Sequence, residues 1–459
     1  MKLMGSIVQT LSILITILFL DSSIALEYPQ DLNNNLYPVD DTQSTPPAEA
    51  TAFPIFPASD SSPRAPALFV IGDSSVDCGT NNFLGTFARA DRPPYGRDFD
   101  THQPTGRFCN GRIPVDYIAL RLGLPFVPSY LGQRGSVDDM IRGVNYASAG
   151  AGIIFSSGSE LGQHISLTQQ IQQVMDTFQQ FILSMGEDAA YDLISNSIFY
   201  ISIGSNDYIH YYLRNISNVQ SLYLPWSFNQ FLAQTMKQEI QNLYNANVRN
   251  VVVMGLAPLG CAPYYLWLYQ SRNGQCVEMI NDMILEFNFA MRFMVEELNK
   301  ELLDANVIFC DAYEGSMDII KNHDRYGFNV TTDACCGLGM YRGWIMCISS
   351  DMACDNASNH IWWDQFHPTD AVNEILADNV WSGLHTRYMR EHRMEQKLDV
   401  QGCNLHIKFQ TAGLRFGVQY SGGLPKFVIS HICCFNKEIV AKNELFYHPY
   451  KLPSKGNKL

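Results

Sequence analysis

The sequence is short of positive charge: 31 Lys and Arg stand against 45 Asp and Glu, a formal net charge of −14. A phosphate backbone would be repelled by that field, which argues against nucleic acid as a partner and disfavours anionic membrane surfaces. Beyond the first 25 residues no apolar stretch is long and uninterrupted enough to span a bilayer. No pair of Cys-x-x-Cys units has zinc-binding spacing. A Gly-x-Ser-x-Gly elbow is also missing, which argues against the α/β-hydrolase fold. What is present is apolar mass: 46% of the 459 residues, with 12% aromatic, enough to bury a substantial core.

The N-terminus reads as a secretory signal peptide over residues 1–25. Lys2 is the only charge before Asp21, Ile7 to Leu20 is largely apolar, and Ser23-Ile24-Ala25 offers small residues for cleavage. The alternative, a membrane anchor, is disfavoured by the shortness of the apolar core. An oxidising compartment makes disulfides the default state of the 12 cysteines. Cys335, Cys336, Cys347 and Cys354 form a cluster that reads as staples on a loop-rich region, with connectivity open. Asn215, Asn329 and Asn356 each begin an Asn-x-Ser/Thr triplet and are candidate glycan sites.

Residues 26–64, rich in Pro, Ser, Asp and Asn, read as a flexible segment without a core. The pattern then changes. Four short apolar runs, at 67–71, 197–203, 251–254 and 307–310, each end in Gly or Asp. Amphipathic stretches at 166–184, 228–245 and 277–303 separate them, with apolar positions three and four apart. Fully apolar strands alternating with such helices imply an α/β fold with a parallel sheet covered on both faces. In such sheets the site lies at the carboxyl ends of the strands.

Gly72-Asp73-Ser74-Ser75 follows the first strand, where a hydroxyl would face a crevice. Alone, this reads equally as a turn or helix cap. Asp364-Gln365-Phe366-His367-Pro368 lies near the other end. A serine needs a base, and His367 suits that role at neutral pH. Asp364, three residues earlier, can reach the same imidazole and fix its tautomer. Gly143 to Gly150 reads as a small-residue loop able to present backbone N–H groups. Asn206, just past the second strand, can donate a side-chain N–H. Each segment could also be a loop satisfying its own backbone.

Taken together, these four segments resemble the blocks of the GDSL esterase/lipase family, also called SGNH hydrolases, and in particular its plant branch. The resemblance spans roughly residues 66–384 and includes Pro104 to Arg112 and Gly255 to Cys261. It implies a three-layer α/β/α sandwich with a flavodoxin-like parallel sheet. It assigns Ser74 as nucleophile, His367 as base and Asp364 as its orienting acid, with the N–H groups of Ser74 and Gly150 and the side chain of Asn206 as the oxyanion hole. It implies ester hydrolysis on a small-molecule, lipid or carbohydrate ester, with no cofactor and no metal. Acyl transfer to another alcohol, carbohydrate deacetylation and a catalytically silent binding glycoprotein stay open. Two features depart from the family. Ser75 and Cys78 stand where it usually has Leu and an Asn-rich continuation, which makes Cys78 a possible additional disulfide partner. The 75 residues after Leu384 match nothing in the family and read as an atypical or mispredicted C-terminus, weakly ordered against the domain.

Overall fold

Strand β1 (Leu68–Gly72) is buried at all five positions, as its unbroken apolar run requires. It pairs in parallel with β2 (Ile198–Ser202), which pairs with β3 (Asn250–Met254), which pairs with β4 (Asn306–Cys310). Phe69 stacks on its register partner Phe199 at 4.9 Å between ring centroids. The computed structural model describes residues 63–133 and 135–383, and the backbone of two short strands at Gln419–Tyr420 and Pro425–Lys426 that pair antiparallel. The expected signal peptide, the Pro/Ser-rich segment up to residue 62 and the rest of the C-terminal extension lie outside the described residues.

The segment read as a loop at Gly143 to Gly150 is, over its first half, extended chain that bridges β1 on one side and Ser129 on the other. Val70 donates its N–H to Val144 O at 3.0 Å and accepts from Tyr146 N–H at 2.8 Å, while Ser148 donates to Gly72 O at 3.1 Å. This parallel ladder sits on the side of β1 opposite β2. Counting it, the chain order across the sheet is second, first, third, fourth, fifth, the flavodoxin-like order the resemblance implied. The order reverses beside β1, and the crevice at its carboxyl end is the switch point where ligands bind in such sheets.

Long helices cover both faces. Numbering only helices of nine residues or more, α1 (Pro114–Leu122) and α7 (Asp370–Ser382) lie on one face, over Leu68, Val70, Tyr200, Val252 and Ile308. On the other lie α2 (Leu167–Met185), α3 (Glu187–Asn196), α4 (Pro225–Asn245) and α5 (Glu278–Glu301), over Phe69, Ile71, Phe199 and Val251. The fold is therefore a three-layer α/β/α sandwich. Helix α6 (Ala312–Lys321) follows β4, its first turn capped by the Asp311 carboxylate. No helix among the described residues is long and apolar enough to cross a membrane.

The clustered cysteines pair as Cys335–Cys354 and Cys336–Cys347, and Cys261 pairs with Cys276. Cys78 does not take the disulfide role expected of it. It is a buried free thiol whose S–H donates to Val127 O, within an apolar cluster.

Candidate active site

The end of β1 is held from below. Gln170, from α2, accepts the Gly72 N–H at 2.8 Å and donates to the Gly72 carbonyl at 2.9 Å. A Cβ on Gly72 would lie 2.4 Å from Ser202 O, so only glycine lets β1 and β2 stay paired here while the chain turns. The turn that follows is closed by Ser75 N–H to the Asp73 carboxylate and by Val76 and Asp77 N–H to the Asp73 carbonyl. The Ser74 N–H takes no part in these bonds, and the Ser74 side chain is half-buried in the crevice.

Asp364 and His367 sit in a tight turn between β5 (His360–Trp362) and α7. The N–H groups of Phe366 and His367 both donate to Asp364 Oδ1, at 3.0 and 2.9 Å. The turn is braced by the disulfide region: Cys335 and Cys336 N–H donate to the carbonyls of Trp362 and Trp363. Between them these supports aim the imidazole. His367 Nδ1 lies 2.8 Å from Asp364 Oδ1, and His367 Nε2 lies 2.8 Å from Ser74 Oγ. Residues 293 positions apart in sequence thus share one hydrogen-bonded relay.

The electrostatics suit proton transfer. Burial by itself would depress the His367 pKa, but the Asp364 carboxylate, with Asp73 behind it, outweighs burial and holds it above the ordinary imidazole value. Burial opposes ionisation of Asp364 too, yet the imidazole and two backbone N–H groups hold its pKa below the usual carboxylate range. The pair therefore favours a charged carboxylate, and the imidazole becomes neutral, free to accept a proton at Nε2, only as pH rises above the ordinary imidazole value.

Gly150 and Asn206 line the same cavity as Ser74 and His367. The loop carrying Gly150 is pinned on both sides by buried carboxylates. Asp77 accepts the Ala149 N–H at 3.0 Å, and Asp207 accepts those of Ile153 and Ile154 at 2.7 and 2.9 Å. Burial raises both carboxyls to about 6 against the hydrogen bonds that lower them. Asn206 donates one N–H of its amide to Ala151 O at 2.8 Å, and the amide carries a second. Gly150 itself has φ +88°, which only glycine adopts without strain, and its N–H donates to no group among the described residues. Three unspent donors, on Ser74, Gly150 and Asn206, therefore border one cavity.

That cavity encloses about 440 Å³ and is mostly apolar. Asp364, His367 and Ser74 all line it, and residues 68–380 match the GDSL-like lipase/acylhydrolase family. The chain belongs to that family. It is 38% identical to the GDSL esterase/lipase At1g71691 of Arabidopsis thaliana over 365 residues, covering 79% of this chain and 92% of the relative. It is 40% identical to GDSL esterase/lipase 7 of the same plant over 329 residues, covering 70% and 89%. As a family member it is an ester-cleaving hydrolase.

Two residues at this GDSL site escaped the sequence reading. Tyr95 donates its O–H to Asp364 Oδ2 at 2.9 Å, and the Phe108 ring packs on the His367 imidazole with centroids 5.1 Å apart. Both come from the long loop between β1 and α1, where no periodicity marks a residue as inward-facing. Asp77 and Asp207 were within the quoted blocks, and their neighbours Ser74 and Asn206 were the only signal available. Among the described residues no group of three or more His, Cys, Asp or Glu is arranged to hold a metal ion. Asn215, Asn329 and Asn356 are all exposed, as a glycan would require.

Proposed function

We propose that this GDSL hydrolase is a secreted serine esterase that cleaves carboxylic esters through an acyl-enzyme on Ser74. Its support is the unbroken relay from Asp364 through His367 to Ser74 Oγ, with 2.8 Å at each step. Ser74 Oγ attacks the ester carbonyl carbon as its proton passes to His367 Nε2. Negative charge develops on the carbonyl oxygen, where the N–H groups of Ser74 and Gly150 and the Asn206 amide receive it. The tetrahedral species collapses, the carbon–oxygen bond to the alcohol breaks, and His367 gives that oxygen its proton. Water then attacks the acyl-enzyme, with His367 taking its proton and returning one to Ser74 Oγ as the acid leaves. Asp364 stays ionised and holds the imidazole with Nδ1–H toward itself.

Secretion is supported by the N-terminal leader pattern, by disulfides such as Cys261–Cys276, Cys335–Cys354 and Cys336–Cys347 among the described residues, and by three exposed sequons. A fluorophosphonate probe tests the nucleophile: peptide mapping of the labelled protein should place the adduct on Ser74. A protein that is folded, active on p-nitrophenyl butyrate and labelled elsewhere would overturn the assignment. Asn206→Ala should lower kcat by about 10²–10³ with little change in KM, the cost of one oxyanion donor. Steady-state kinetics on the same ester reads both constants, and a loss confined to KM would remove Asn206 from the oxyanion hole.

A further inference from the structure

Asp364 presents its two oxygens to different partners. Oδ1 receives the N–H groups of Phe366 and His367, at 3.0 and 2.9 Å, and the imidazole Nδ1 at 2.8 Å. Among the described residues, Oδ2 meets only the imidazole, at 3.0 Å, and the Tyr95 O–H, at 2.9 Å. Rotation of a carboxylate about its last bond is soft, so bonds to one oxygen leave the plane of the group poorly fixed. The phenol is the tether on Oδ2 that comes from outside the turn. Its ring is itself clamped. It meets Trp363 and Phe108 edge to face, with centroids 6.0 and 5.9 Å apart, and Phe108 packs in turn on the imidazole. Gly96 N–H donates to Cys109 O at 3.0 Å, which ties together the two passages of the loop that carry Tyr95 and Phe108. Tyr95 and Asp364 are each 4% exposed, so their bond lies away from bulk water, where a charge-assisted hydrogen bond is strongest.

We propose that Tyr95 is a positioning residue of the relay: its O–H fixes the plane of the Asp364 carboxylate against the imidazole and takes up part of the negative charge that His367 faces. This rests on the Ser74–His367–Asp364 reading above and adds a residue to it. The two roles have separate signatures. Without the O–H the carboxylate can swing, the imidazole loses its aim, and kcat falls while substrate binding does not. Without the O–H the carboxylate is also more negative toward the imidazole, so the imidazolium is better stabilised and His367 titrates at higher pH. The other titratable groups that act on this trio are Asp73, on the turn after β1, Arg92, on the Tyr95 loop, and the Cys109 thiol. Burial holds that thiol and the Tyr95 phenol well above their ordinary pKa values, so both stay protonated around neutrality.

Tyr95→Phe keeps the ring and removes only the O–H. On p-nitrophenyl acetate it should lower kcat by about ten- to hundredfold, with KM within about twofold of wild type. The acid limb of log kcat/KM should move to higher pH. The His367 imidazole, followed by 13C NMR in histidine-labelled protein and assigned with His367→Gln, should titrate higher by the same amount. In an Asp364→Asn background Tyr95→Phe should leave that titration unmoved, because no carboxylate charge remains for the phenol to share. Tyr95→3-fluorotyrosine retains ring and O–H, and its more acidic phenol donates more strongly. It should move the His367 titration downward, a readout that survives if Tyr95→Phe does not fold. An unmoved titration in either folded variant, or an equal shift in the Asp364→Asn background, overturns the proposal. So does a loss confined to KM, which would make Tyr95, a residue of the cavity wall, a substrate contact instead. Failure of the unsubstituted protein to hydrolyse any ester would overturn the esterase reading, and the NMR titrations would still decide the role of Tyr95.

Discussion

Replacing Ser74 by alanine should lower kcat on a p-nitrophenyl ester by about four to six orders of magnitude while leaving the fold intact. The substitution removes one oxygen from a half-buried side chain whose hydrogen-bond partner is His367 Nε2. The turn does not depend on it, because Asp73, Ser75, Val76 and Asp77 close it. Circular dichroism and the melting temperature should therefore match wild type. His367→Ala should cost about as much, and the double variant little more than either alone, since base and nucleophile act as one unit. Rates are measured on matched preparations of all three variants, with the uncatalysed rate subtracted. Residual hydrolysis above that background would come from the Gly150 and Asn206 donors. A Ser74→Ala protein within tenfold of wild type would mean that another group attacks the ester.

Strands β1 to β4 were legible because each is built on a short apolar run followed by Gly or Asp, and burial on both faces demands that composition. The extended segment before Gly150 was not. It carries Gly143, Asn145 and Ser148 among its apolar residues, because Asn145 Nδ2 must reach Val76 O and Ser148 Oγ must reach Asn81. Those polar side chains tie the segment to the turn bearing Ser74, and they also erase the period that marks a strand. Ser74, Asp364 and His367 were legible because each stands in a short motif whose chemistry is recognisable alone. Tyr95 and Phe108 were not, since they act through packing and hydrogen bonds that exist only once the loop is folded over His367. The pairing of Cys335, Cys336, Cys347 and Cys354 was open for the same reason: adjacent thiols in one loop carry no order until the backbone gives them direction.

Asp364→Asn should lower kcat by about 10⁴ and move the acid limb of the pH profile downward. The amide oxygen retains the acceptor that the N–H groups of Phe366 and His367 use, so the turn survives. The amide nitrogen, however, presents N–H groups where Asp364 Oδ2 received Tyr95 O–H and faced His367 Nδ1 at 3.0 Å. Tyr95 adapts, because a phenol oxygen accepts as well as donates. The imidazole then meets an amide oxygen at one position and amide N–H groups at the other, and when Nδ1 accepts from the latter its proton sits on Nε2, the tautomer that cannot deprotonate Ser74. The pH dependence follows from the sign of the His367 shift. In the native protein the pKa is raised, so kcat/KM falls as pH drops through a value above 6.5. Without the carboxylate, burial is the largest remaining influence and pushes the imidazole down, so the variant's small activity should persist to lower pH. Profiles of log kcat/KM against pH for both proteins read the two limbs directly. An unchanged limb in the variant would show that Asp364 does not set the charge state of the base, and a kcat within tenfold of wild type would remove it from the relay.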